Sequence, residues 1–238
     1  MKRWTKVLAW VAGVLVCLVA AAWVFLFSPL EATGPCGRCG VADTGDVEVA
    51  ANGTTGLIVY TGARVVPEAY APITELIGEA GFPVFIPRLT LNFAVFDAQA
   101  ADSVIREHPE IERWVIAGHS LGGVMAARYA ADHAEIDGLV FWASYPDGSI
   151  DLSESGLVVS SIYGSRDTLS TPDEVLASKG RLPEGTMFVV VDGGNHAQFG
   201  RYGEQRGDQP ATIPPEAQWS QVAEATIAVL EAVAGGGS

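Results

Sequence analysis

Positive charge is what this chain has least of. It carries 14 Lys and Arg against 28 Asp and Glu, and three of those bases, Lys2, Arg3 and Lys6, are gathered at the front. The other 11 face all 28 acids beyond Leu30, so that part of the chain carries a net charge of −17. Such a surface repels phosphate backbones and anionic headgroups, which argues against nucleic acid as a partner. Histidine is also scarce, at four residues, and no set of His and carboxylates has metal-ligand spacing. Neither a metal nor an organic cofactor is therefore expected. No internal repeat is present, which excludes solenoids and propellers.

Cysteine is limited to three residues. Cys17 sits in an apolar stretch, while Cys36 and Cys39 form a C-x-x-C within "GPCGRCG". A thioredoxin-like site needs this motif to open a helix, and Gly34, Pro35, Gly37 and Gly40 make it a loop. An incidental or locally stapled linker is the simplest reading; a bridge between chains and a chemical role are the alternatives.

Charge is absent altogether from Val7 to Phe27. As a helix these 21 residues would extend about 31 Å, the thickness of a hydrocarbon core. Ala20-Ala21-Ala22 offers a signal-peptidase site, which would make the mature protein secreted. However, a cleavable signal turns polar near its end, whereas Trp23 to Phe27 continues the apolar run with aromatics at the bilayer boundary. Residues 1–27 are therefore expected to be an uncleaved anchor in the cell membrane. The leading bases stay cytoplasmic, so the rest of the chain lies outside.

What remains reads as a polar tether over 28–55, a working domain over 56–234, and a short linker over 235–238. Within the domain, apolar strands are expected at 56–60, 82–87, 114–118, 138–143, 157–164 and 187–192. They alternate with helices at 67–80, 96–108, 122–133 and 216–233. That alternation predicts an α/β fold, a mainly parallel sheet with helices on both faces. In such sheets, sites form beyond the carboxyl ends of the strands.

The stretch "WVIAGHSLGGVMAARY" over 114–129 runs a strand into a helix, with Ser120 at the join and Gly118 and Gly122 two residues to either side. Glycine costs roughly 1 kcal/mol against alanine inside a helix, so another requirement must demand it. A G-x-S-x-G in this context is a nucleophile elbow: the turn is too sharp for side chains two residues away, and it lifts the serine hydroxyl clear of the sheet. The N–H of Leu121 then opens the helix where an oxyanion would form.

Serine needs a base, and the base needs a carboxylate to orient it. His108 and His133 fall at the polar ends of helices, and His119 is part of the elbow itself. His196, in the loop after "MFVVVD", is the remaining candidate. Asp167 follows strand 157–164 by three residues, with Asp147, Asp151 and Asp192 as competitors.

These segments resemble the α/β-hydrolase superfamily, and more narrowly the bacterial membrane-anchored hydrolases near the dienelactone-hydrolase branch. The resemblance covers about residues 56–232 and rests on "GLIVYTGARVVPEAYAPI", "GHSLGG", "FWASYPDG", "SIYGSRD" and "GGNHAQFGRYGEQRGD". It implies Ser120 as nucleophile, Asp167 as acid and His196 as base, acting on a small-molecule ester. It also implies a second oxyanion N–H at Ala63, in a turn that commonly reads P-G-G-K-V-D and here reads T-G-A-R-V-V. Dienelactone hydrolases carry cysteine where this chain has Ser120. The same triad would serve an acyltransferase, a thioesterase or an amidase, and a non-catalytic anchored binding protein is the alternative from another class.

Overall fold

The computed structural model describes residues 2–26, 28–42 and 45–236. Its centre is a stack of strands buried on both faces: β3 (Thr55–Tyr60), β5 (Arg113–His119), β6 (Ile136–Trp142) and β7 (Val158–Gly164). Successive side chains on a strand point to opposite faces. Val115 and Ala117 accordingly join one apolar cluster, while Trp114 and Ile116 join the other. The first cluster is covered by helices α2 (Ala71–Glu79) and α6 (Pro215–Gly235). The second is covered by α3 (Ala100–Glu107) and α4 (Leu121–Asp132).

With β1 (Gly40–Val41), β2 (Val47–Val49), β4 (Val84–Ile86) and β8 (Met187–Val191), the sheet has eight strands in the order β1-β2-β4-β3-β5-β6-β7-β8. The run from β4 to β8 is parallel, and β1 and β2 pair antiparallel at one edge. The strand order reverses between β3 and β5, the point at which open α/β sheets place their sites. Tyr60 pairs with Gly118 there, so the chain leaves both strands side by side.

The expected tether over 28–55 is a correction. Residues 28–42 and 45–55 lie against the domain and supply β1 and β2. Leu30 bridges Val65, with Leu30 N–H donating to the Arg64 carbonyl (2.7 Å) and Val66 N–H to that of Leu30 (3.2 Å). Thr33 N–H donates to the Arg201 carbonyl at 2.8 Å. Cys36 and Cys39 form a disulfide, and the loop they close is held by Glu75 of α2, which accepts N–H groups from Gly37 (2.6 Å) and Arg38 (2.8 Å).

A short helix, α5 (Pro172–Ala177), was not expected. It opens on a capping box in which Thr171 and Glu174 satisfy each other's N–H groups. Between β6 and β7 the chain forms no helix.

The first helix, α1, runs Lys2–Leu26. Among the described residues no helix is long and apolar enough to cross a membrane. The span expected from Val7 to Phe27 falls partly outside them: Phe27 is not described, nor are the side chains of Leu8, Ala9, Ala22, Phe25 and Leu26. Of the linker expected over 235–238, Gly237 and Ser238 also lie outside the described residues.

Candidate functional site

Ser120 joins β5 to α4 with φ 52° and ψ −124°. A non-glycine residue held there costs on the order of 1–3 kcal/mol and persists only where its surroundings impose it. The surroundings are explicit. A Cβ on Gly118 would come within 2.4 Å of Gly122 and Gly123 backbone atoms, and one on Gly122 within 2.3 Å of the Tyr60 carbonyl oxygen. Ser120 is further fixed by its N–H donating to the Trp142 carbonyl (3.0 Å) and by the Ser144 hydroxyl donating to its own carbonyl (2.7 Å). Its side chain is half-buried, and its Oγ makes no hydrogen bond among the described residues.

Asp167 and His196 are brought together from two loops. His196 Nδ1–H donates to Asp167 Oδ2 at 2.8 Å, and both side chains are almost wholly buried, at 1% and 0% exposure. The other carboxylate oxygen accepts N–H groups from Leu169 and Ser170, each at 2.8 Å. Two backbone donors and one imidazole thus satisfy a buried carboxylate that would be costly if left unpaired. The loops are knitted together, with Arg166 N–H donating to the Gly194 carbonyl (2.9 Å) and Ser165 N–H to that of Val191 (3.0 Å).

The competing carboxylates are engaged elsewhere. Hydrogen bonds from Ser149, and then from Arg128, hold the Asp147 carboxyl down at about 2. Asp151 caps the N–H of Ser153 (3.0 Å), and Asp192 accepts from the Ser165 hydroxyl (3.0 Å). His133 stacks on Tyr129 with ring centroids 3.7 Å apart, and His108 lies between Phe85 and the carboxylates of Glu48 and Glu110.

The two N–H groups expected at an oxyanion site are those of Leu121 and Ala63. Leu121 is the first residue of α4, where no preceding helical turn can accept its N–H. Ala63 lies in the tight turn after β3, closed by Val65 N–H donating to the Gly62 carbonyl at 3.0 Å. Among the described residues the Ala63 N–H donates to nothing. Arg64 holds φ 69° in this turn, a region where glycine is the easy choice. Its N–H donates to the Asn92 carbonyl (2.7 Å), and its guanidinium binds the Ser28 carbonyl.

Sequence reasoning missed the residues that support this frame. Asp208 takes the N–H of Ala197 (2.9 Å) on one carboxylate oxygen and that of Thr168 (3.4 Å) on the other, joining the segments just beyond His196 and Asp167. Gln218, fully buried on α6, exchanges two hydrogen bonds with the backbone of Asn195. A glutamine on the apolar face of a helix was the legible signal for the second. Among the described residues, the one group with metal-ligand spacing is Cys36, Cys39 and Glu75, and its sulfurs are joined to each other.

Comparison with known proteins agrees with the architecture. Residues 56–220 match the family model described as Alpha/beta hydrolase family. Among solved structures, a dienelactone hydrolase-like protein of Klebsiella pneumoniae is 16% identical, covering 78% of this chain and 92% of its own, with a TM-score of 0.58. A monoacylglycerol lipase of Paleococcus ferrophilus is 14% identical over 63% of this chain and 89% of its own (TM-score 0.52). An esterase of Pyrococcus furiosus is 17% identical over 64% and 78% (TM-score 0.53). Identities this low speak for the fold alone. No curated protein sequence matches the chain.

Proposed function

Because the chain belongs to the alpha/beta hydrolase family, we propose that it is a serine hydrolase cleaving carboxylic esters of small molecules through Ser120, His196 and Asp167. The observation that carries this reading is the buried Asp167–His196 pair, beyond the carboxyl ends of the same sheet whose central strand delivers Ser120 on a strained turn. A buried carboxylate–imidazole hydrogen bond is weak ground for stability, since desolvation offsets much of its attraction. Its place beyond the carboxyl ends of the strands is better accounted for by chemistry.

In the proposed reaction, His196 Nε2 takes the Ser120 proton as Oγ bonds to the ester carbonyl carbon. The carbonyl electron pair moves onto oxygen, between the N–H groups of Leu121 and Ala63. The carbonyl re-forms as the alcohol leaves with the proton from His196, and water releases the acyl group by the same steps. Asp167 holds the imidazole in the tautomer this requires and stabilises its cation.

The connection between β6 and β7, where related folds insert a lid, is the polar loop "SYPDGSIDLSESG". An uncovered, polar-rimmed serine suits short acyl groups. The full-length protein, assayed on p-nitrophenyl esters of increasing chain length and on thioester and amide analogues, is expected to favour acetyl and butyryl over palmitoyl esters. No jump in rate is expected as substrate passes its micelle concentration. A preference for long chains or activation at a lipid interface would contradict an open site.

We further propose that α1 anchors the domain in the cell membrane with the hydrolase outside. The supporting observations are the charge-free run from Val7 to Phe27 and the exposure along α1 of Trp10, Leu15, Val16, Leu18, Val19 and Trp23. Protease added to intact cells is expected to remove the domain, while the purified membrane form still begins near Met1. A mature protein starting at Trp23 in the medium would overturn the anchor.

A further inference from the structure

The two N–H groups assigned to the oxyanion ride on separate segments. Ala63 is on the turn after β3, and Leu121 is on the first turn of α4. A buried chain of hydrogen bonds joins those segments. Gly62 N–H donates to the Tyr70 hydroxyl oxygen at 2.8 Å, and that oxygen lies 2.9 Å from Nδ1 of His119, the residue before the nucleophile. A phenol carries one hydrogen. With the amide already donating to the oxygen, the hydroxyl hydrogen goes to Nδ1, which assigns His119 as the neutral tautomer protonated on Nε2.

Packing tells the same story without reference to protons. Tyr70 and His119 are buried, at 0% and 1% exposure. The His119 ring stacks parallel to Phe199 with centroids 5.8 Å apart and lies 4.7 Å from the ring of His196. A Cβ on Gly62 would come within 2.7 Å of His119 Nδ1, so the oxyanion turn rests directly on this ring. Burial, and then the His196 ring, hold His119 well below the usual histidine range, against a pull upward from the His196 backbone. Burial also pushes the Tyr70 hydroxyl far up, so it stays a donor. His119 is thus no second base: its Nδ1 is occupied and its Nε2 is enclosed.

We propose that Tyr70 and His119 are positioning residues, a brace from Gly62 N–H through the Tyr70 hydroxyl to His119 Nδ1 that sets the spacing between the Ala63 and Leu121 N–H groups. This rests on the reading of Ser120 as nucleophile and of those groups as its oxyanion site. The brace acts on the peptide preceding Ala63 and on the residue preceding Ser120. Its loss should therefore weaken stabilisation of the tetrahedral intermediate more than binding of the ester. Removing one oxyanion donor outright typically costs about 100- to 1,000-fold in kcat, and a misplaced donor should cost part of that.

The test uses the full-length protein with Tyr70→Phe, His119→Leu and His119→Asn, assayed well below their melting temperatures. Tyr70→Phe is expected to lower kcat by about tenfold or more, with KM changed by less than about twofold. A fluorophosphonate should still label Ser120 to full stoichiometry, more slowly by a similar factor. His119→Asn, whose carboxamide oxygen can accept from Tyr70, should keep more of kcat than His119→Leu. Nitrogen-15 NMR of the histidine rings supplies a readout independent of turnover, with His119 expected unprotonated at Nδ1. Unchanged kcat in Tyr70→Phe beside an inactive Ser120→Ala would overturn the brace and leave the hydrolase reading standing. A proton on His119 Nδ1 would overturn it whatever the activity. If Ser120→Ala kept its rate, the hydrolase reading would fall, and with it the catalytic role of the brace.

Discussion

Ser120→Ala is expected to reduce ester turnover by roughly 10,000-fold or more, leaving only what binding and the oxyanion site supply without a nucleophile. The fold should be nearly indifferent to the change. Ser120 Oγ makes no hydrogen bond among the described residues, so its removal orphans no partner. Alanine inherits the same φ of 52° at a similar steric cost. Stability should therefore shift by no more than about 0.5 kcal/mol. Steady-state kinetics with a thermal melt separate the two effects, and a variant retaining a tenth of the wild-type rate would remove Ser120 from the mechanism.

Asp167→Asn should cost a similar factor, about 10,000-fold in kcat, by a different route. The amide oxygen can still accept from Leu169 and Ser170, the two donors to Asp167 Oδ1. Its NH2 group would then face His196 Nδ1 in place of the carboxylate oxygen now 2.8 Å away. Two donors cannot share that position, so the ring is driven to the tautomer protonated on Nε2, which cannot take the serine proton. Combined with Ser120→Ala, the change should add little, because groups that act as a unit are not additive. A second full loss in the double variant, or a mild effect of Asp167→Asn alone, would show that the acid lies elsewhere.

Much of the fold was legible because its central strands are buried on both faces. "GLIVY" and "WVIAG" are unbroken apolar runs, and only a sheet covered on both sides accommodates them. The elbow was legible for a related reason. Gly118 and Gly122 make local sense only if backbone passes where their side chains would be, and the chain does pass there at 2.4 and 2.3 Å. Asp167 and His196 could be placed by their positions after strands, although their contact depends on two loops folding over each other.

The edge of the sheet was not legible. Val47-Glu48-Val49 offers two apolar side chains to the core, too short a signal to separate from a linker, and its pairing with β4 is set by residues far along the chain. Leu30 likewise finds its place only once Val65 exists to receive it. Tyr70 and Asp208 escaped for a similar reason, since their partners lie on other segments. The capping box at Thr171 and Glu174 was a local signal that pointed to α5.

The proposed mechanism turns on Ser120 as a nucleophile activated by His196. The most direct measurement is to treat the full-length protein with a fluorophosphonate and locate the adduct by mass spectrometry. Trypsin releases Ser120 within the peptide Trp114–Arg128. Stoichiometric adduct is expected on Ser120, none in Ser120→Ala, and greatly slowed labelling in His196→Ala. An unlabelled native protein, or an adduct on any other residue, would contradict it.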